Sequence, residues 1–157
     1  MCGIVGQINK TIPLVPDILE RMRDTLSHRG PDDAGLYISD DQLSGLGHRR
    51  LSFLDLSPLG RQPLANENDQ IQVVGNGEIY NYLEIKKELE SKGHRFASNS
   101  DSEVIVHGYE EWGIEVLQKL MGMFAFGLWD ESKKQLFLAR DRFGIKPLYY
   151  FQDKEKF

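Results

Sequence analysis

Met1-Cys2-Gly3-Ile4-Val5-Gly6-Gln7-Ile8 opens the chain. From position 2 to position 8 the run is short, apolar and β-rich, which predicts a buried strand beginning at the terminus itself. It has no charged region followed by a long apolar core, so it does not read as a secretory signal. Outward from it, residues 16–27 carry Ile18, Leu19, Met22 and Leu26 at helical spacing, with Pro16 near the start. Residues 28–35 (HRGPDDAG) and 57–63 (SPLGRQP) read as loops rich in glycine and proline. Residues 36–38 and 43–51 read as two strands joined by a polar turn.

Residues 71–74 form a strand that runs into Gly75-Asn76-Gly77. Residues 82–91 predict a helix with Leu83, Ile85 and Leu89 partly in phase, ending before Gly93. Ser100 or Asp101 can cap a further helix through Glu110, since Glu103 follows within its first turn. Residues 114–120 suggest a short helix, and 123–129, 135–139 and 148–151 suggest strands. Strands gather at both ends of the chain with helices between them, which suits an α+β layered fold better than a regular βαβ series. The closing FQDKEKF reads as the first half of a hairpin, so the chain is expected to be a piece of something longer.

The 157 residues fit one domain with a single sizeable core. A net charge of −5, from 19 basic and 24 acidic residues with no basic stripe, argues against a nucleic-acid surface. No apolar run approaches the roughly 18 residues of a membrane span. A single cysteine excludes an internal disulfide and fits a reducing, cytoplasmic setting. The four histidines and one cysteine show no metal-ligand spacing along the chain.

Cys2 is followed by Gly3. Removal of Met1 leaves Cys2 with a free α-amine beside its own thiol. That pair is a self-contained nucleophile and base, because an α-amine titrates near ~7.7–8.0 and is partly unprotonated at neutral pH. The plainer alternative is a lone cysteine buried as a small hydrophobe.

Seven segments follow in order: Met1-Cys2-Gly3-Ile4, His28-Arg29-Gly30-Pro31-Asp32, Gly47-His48-Arg49-Arg50-Leu51-Ser52, Asn76-Gly77-Glu78-Ile79-Tyr80-Asn81, Ser100-Asp101-Ser102-Glu103-Val104, Gly122-Met123-Phe124-Ala125-Phe126, and Arg140 through Tyr149. Each alone is weak. Together they resemble the N-terminal glutaminase domain of class II (N-terminal nucleophile) glutamine amidotransferases, most of all that of glutamine-hydrolysing asparagine synthetases. The resemblance implies a four-layer αββα sandwich of the N-terminal-nucleophile hydrolase type, over residues 1–157, ahead of a C-terminal ATP-dependent synthetase domain.

It also implies a site. Cys2 would be the nucleophile. The Asn76 side chain and the Gly77 backbone N–H would hold the oxyanion. Arg50 would bind the substrate α-carboxylate, where a guanidinium can act bidentately. Glu78 and Asp101 would hold the α-ammonium. Leu51, Ser52, Phe53 and Leu54 would complete the substrate wall. Each position has a plainer reading. Asn76 between two glycines makes a tight turn by composition, and Asp101 makes a helix N-cap. Arg49 and Arg50 are adjacent on a strand, so only one faces the site. His28 suggests a Cys/His dyad, though the α-amine already fills the role of base. His48 reads as a packed strand histidine, and Arg140-Asp141-Arg142 as a charged cluster supporting the face toward a second domain.

The activity implied is hydrolysis of glutamine to glutamate and ammonia for ATP-dependent amidation, with aspartate the first acceptor to consider. A sugar or a secondary-metabolite intermediate is the alternative, and a catalytically silent amino-acid-binding module is another. No cofactor or metal is expected in this segment; ATP and Mg2+ belong to the synthetase domain. The expected partners are glutamine, that synthetase domain and a second copy in a homodimer, with neither nucleic acid nor membrane.

Overall fold

Two antiparallel sheets lie face to face in the computed structural model, which describes residues 1–157. One contains β1 (Gly3–Ile8), β2 (Asp33–Ile38) and β3 (Ser44–Arg50), with β3 in the centre. The other contains β4 (Leu64–Ala65), β5 (Ile71–Ile79), β6 (Gly122–Asp130) and β7 (Gln135–Arg140), in that spatial order. Helix α1 (Pro16–Asp24) packs on the outer face of the first sheet, against β1 and β3. Helices α2 (Tyr82–Ser91), α3 (Glu103–Trp112) and α4 (Val116–Lys119) form the fourth layer, with α3 seated on β4 and β5. The architecture is the αββα sandwich, and no helix is long and apolar enough to cross a membrane.

The layers follow from strand alternation. On β5, Val73 joins the helix-side core, while its neighbour Val74 joins the inter-sheet cluster with Leu46 and Trp129. On β6, Phe124, Phe126 and Leu128 point to the helices, whereas Trp129 points to the facing sheet. Ile4 and Ile8 of β1 pack on that inter-sheet cluster too. Successive strand side chains alternate faces, so Cys2, His48, Arg50 and Asn76 share the parity of Ile4, Leu46 and Val74 and look into the gap between the sheets. Fully buried side chains such as Phe126 and Leu128 each contribute about 1.5–3 kcal/mol by leaving water. They fix the sheet that carries Asn76.

Several expectations need correction. Gly75-Asn76-Gly77 is not a turn: β5 continues through it, pairing Gly75, Asn76 and Gly77 with Phe126, Ala125 and Phe124 of β6. A full ladder in the middle of the sheet overrides local turn preference. Gly77 has φ +154°, and a Cβ there would lie 2.0 Å from the Met123 carbonyl oxygen, so glycine serves close strand approach here. The loop expected over 28–35 ends early, because β2 begins at Asp33 by pairing with Arg50.

Neither Ser100 nor Asp101 caps α3, which starts after Ser102 without a side-chain cap. Glu103 does not reach back to a capping residue; its carboxylate accepts the N–H groups of Ala97 and Ser98 at 2.7 and 2.8 Å. Leu83 is exposed, while Ile85 and Leu89 are buried. The expected helix over 114–120 divides into a 3-10 turn, Gly113–Glu115, and α4. Residues 148–151 form no strand, and Tyr149, Tyr150 and Phe151 are exposed. Instead the chain returns to the free edge of β1, where Ile8 and Phe157 exchange backbone hydrogen bonds of 2.8 and 2.9 Å.

Candidate active site

A cavity of about 510 Å3 opens at the end of the sandwich where β1 begins and β3 ends. Every residue that the resemblance assigns to the glutamine site lines it except Ser52. Ser52 turns its backbone N–H to the Asp32 carboxylate at 2.8 Å instead.

Cys2 precedes β1, and its Sγ lies 3.8 Å from the Leu51 carbonyl oxygen. Burial pushes its thiol up, partly opposed by the Leu51 contact, the terminal ammonium and Arg50. The Cys2 carbonyl accepts from Arg29 Nε at 3.1 Å, so the HRGPD loop grips the strand start from outside the cavity. His28 is exposed, its Nδ1 3.1 Å from the Thr25 carbonyl, and it does not line the cavity. That removes the Cys/His dyad.

Asn76 sits mid-strand, buried at 5% exposure, and its carboxamide makes no hydrogen bond to any other protein group. Beside it, the Gly75 N–H donates to Gln62 Oε1 at 2.6 Å, and the Gly75 carbonyl accepts from His48 Nε2 at 3.1 Å. That bond places the proton of His48 on Nε2. Burial pushes His48 down to about 4, so it is neutral across the working range. It ties the two sheets together, as the packed histidine expected from the sequence.

Arg50 is buried at the end of β3. Its Nη1 donates to the Ser57 carbonyl at 3.0 Å and its Nη2 to the Asp55 carbonyl, leaving the rest of the fork for the cavity. Gly60 leaves room alongside, because a Cβ there would lie 2.3 Å from Arg50 Nη2 and displace the guanidinium. The irregular segment 51–57 is therefore folded over the guanidinium. Asp55 anchors it further by accepting the Asn99 N–H at 2.8 Å. Arg49 points the other way, donating to the Gly30 carbonyl at 2.9 Å with Asp24 3.6 Å away.

Asp101 lies across the cavity, where its Oδ2 accepts the Ile79 N–H at 2.6 Å. Burial raises its carboxyl to about 6, with Glu78 adding to the rise and the Ile79 N–H opposing it. The polar and charged wall residues Asp55, Gln62, Ser100, Ser102 and Lys146 receive no site role from the sequence. Gln62 Nε2 also donates to Ser102 Oγ at 3.3 Å, and Lys146 Nζ lies 3.7 Å from the Met1 sulfur. Arg140-Asp141-Arg142 is a folded support: Asp141 accepts the N–H groups of Phe124, Phe143, Ile145 and Lys146.

Chemically, the cavity sets a thiol and an unpartnered carboxamide between a guanidinium and a carboxyl group. That arrangement suits a small zwitterion whose far end meets the thiol.

Residues 1–157 match the sequence profile of a family described as glutamine amidotransferase domain. Asparagine synthetase (glutamine-hydrolyzing) 2 of Bacillus subtilis is 48% identical over 160 residues, covering 99% of this chain and 21% of that protein. The amidase chry2 of Gibberella zeae is 44% identical over 167 residues, covering 99% of this chain and 25% of that protein. Among solved structures, the glutamine phosphoribosylpyrophosphate amidotransferase of B. subtilis, complexed with ADP and GMP, aligns with a TM-score of 0.78. At 23% identity over 92% of this chain and 38% of that one, it shares the fold. The chain spans 21% of the first of these relatives and 33% of a Methanocaldococcus jannaschii one.

Proposed function

The chain belongs to the glutamine amidotransferase domain family, and we propose that it hydrolyses glutamine to glutamate and ammonia with Cys2 as nucleophile. The observation that carries this reading is the convergence of the Cys2 thiol, the free Asn76 carboxamide, Arg50 and Asp101 on one cavity. In the processed chain, without Met1, the α-amine of Cys2 takes the thiol proton, through a water. Sγ attacks the side-chain amide carbon. The Asn76 carboxamide and the Gly77 N–H stabilise the oxyanion of the tetrahedral intermediate. The C–N bond then breaks, the protonated nitrogen leaves as ammonia, and a glutamyl thioester remains. Water hydrolyses the thioester to glutamate and restores the thiol.

Arg50 holds the substrate α-carboxylate with the N–H groups that segment 51–57 leaves free. Asp101 and Glu78 hold the α-ammonium. A thiol that must stay reduced suits the cytoplasm. The test is a chain carrying an uncleavable residue before Cys2. Glutaminase turnover should vanish while the far-UV and near-UV spectra stay native; normal turnover would remove the α-amine from the mechanism.

In the whole protein the ammonia would serve a synthetase part that uses ATP and Mg2+ to activate an acceptor, aspartate first among them. None of the steps described for this chain uses either. The similarity to the amidase chry2 keeps another acceptor class open as the second reading. Asparagine formation from aspartate by the whole protein decides between them. Retention of Met1 in the intact mass of the purified chain would support a silent module instead.

A further inference from the structure

A second cluster of chemistry lies in the outer helical layer, apart from the Cys2 cavity. His94 follows α2, while His107 and Glu110 sit one turn apart on α3. Along the chain these residues show no ligand spacing; the packing of α2 on α3 brings them together. One ligand atom from each falls within 4.8 Å of the others. Glu110 Oε2 is 3.6 Å from His107 Nδ1 and 3.6 Å from His94 Nδ1, and Glu67 Oε2 is 3.9 Å from His107 Nδ1.

These separations are too long for hydrogen bonds. They lie near the edge of a ligand tetrahedron, about 3.3–3.5 Å for metal–ligand bonds of about 2.0–2.1 Å. His107 has a side chain only 1% exposed, and neither of its ring nitrogens has a hydrogen-bond partner. Leaving such a ring unsatisfied is costly, and the Phe96 ring packed 4.5 Å from its centroid restricts its movement.

The groups around the cluster are arranged as metal sites require. Both histidines aim Nδ1 inward; His94 sets Nε2 at 3.3 Å from the Glu111 carboxylate, while the Glu103 carboxylate lies 3.6 Å from His107 Nε2, beyond a hydrogen bond. A carboxylate on the distal nitrogen fixes tautomer and ring orientation in metal-bound histidines. The unused oxygen of Glu110 accepts from Asn66 Nδ2 at 3.1 Å, and that of Glu67 accepts the Arg95 N–H at 3.2 Å. Each acid is thus steered to present a single oxygen. Two imidazoles and one carboxylate make a mixed nitrogen and oxygen donor set, which favours zinc over magnesium or calcium.

We infer that His94, His107 and Glu110 form a binding site for a zinc-class divalent cation that pins α3 to the segment following α2. The test uses the chain with Cys2→Ser, which removes the competing thiolate, titrated with Zn2+ by calorimetry and with Co2+ by visible absorption. Stoichiometric Zn2+ binding and an intense tetrahedral Co2+ spectrum are expected, with no response to Mg2+. His94→Gln and Glu110→Gln, both on the open side of the cluster, should each weaken Zn2+ by at least the roughly 10–100-fold that an outer-shell change costs. Glu111→Gln should weaken it by about 10-fold. Absence of Zn2+ binding, or binding indifferent to His94→Gln and Glu110→Gln in variants with native circular dichroism, would overturn the inference and leave a cluster that holds only a proton.

Discussion

Gln62 holds Gly75: its side-chain oxygen accepts the Gly75 N–H at 2.6 Å, inside the protein and one residue before Asn76. The bond comes from a loop residue to the middle of β5, so it sets the height of the strand segment that carries the proposed oxyanion donors. Gln62→Ala would leave a buried N–H unpaired, which costs about 1–3 kcal/mol. The expected result is a lower denaturant midpoint together with a fall in kcat for glutamine. A normal kcat in the folded variant would confine Gln62 to stability.

On the proposed mechanism, Asn76→Ala removes one oxyanion donor without touching Cys2. Turnover should fall by about 100- to 1,000-fold, with KM for glutamine changed far less. The variant should still form the β5–β6 ladder, because that ladder is made of backbone. Steady-state kinetics that showed the loss mainly in KM would move Asn76 from the transition state to ground-state binding.

Arg50→Lys keeps the charge but loses the fork. It should raise KM for glutamine strongly, in line with the roughly 1.5–3 kcal/mol of a charge-assisted hydrogen bond. It should also loosen segment 51–57, which Arg50 ties down through the Asp55 and Ser57 carbonyls. Hydrogen exchange over those residues reads the second effect independently of activity.

Asp101 gives opposite signs for stability and function. Burial raises its carboxyl from an ordinary 3.8 to about 6. A raised carboxyl favours the folded state only while protonated, so its contribution is full below about pH 4 and is lost as pH rises through about 6. Asp101→Asn should therefore melt higher than the parent at pH 7, by up to about 3 kcal/mol. The advantage should shrink toward zero near pH 4. Catalysis should run the other way, since the neutral amide cannot pair with an ammonium. In the parent, KM for glutamine should rise as pH falls below about 6.

The site was legible where function rests on a strand residue with a fixed direction. Cys2, Arg50 and Asn76 belong to runs whose alternation decides the face they occupy, and all three line the cavity. It was illegible where function rests on a loop. Ser52 sits in the expected run but is turned aside by Asp32, a contact between segments that no local pattern encodes. Gln62 and Lys146 enter the cavity only because distant strands bring them there. The glycines around Asn76 misled for a physical reason: the residues that favour a tight turn also permit a second strand to approach closely, and only the partner strand decides which occurs.

The six-residue ladder between β1 and β3 has a consequence for measurement. Slipping that ladder by a single residue would rotate Cys2 from the cavity to the side covered by α1. The error would silence the thiol and would also turn Ile4 and Ile8 away from the inter-sheet cluster they pack on. Labelling with a bulky glutamine-like electrophile reads the register directly, because only correctly threaded molecules present sulfur beside Asn76. The Cys2 thiol is thus a gauge of assembly fidelity, able to count the correctly threaded molecules in a preparation.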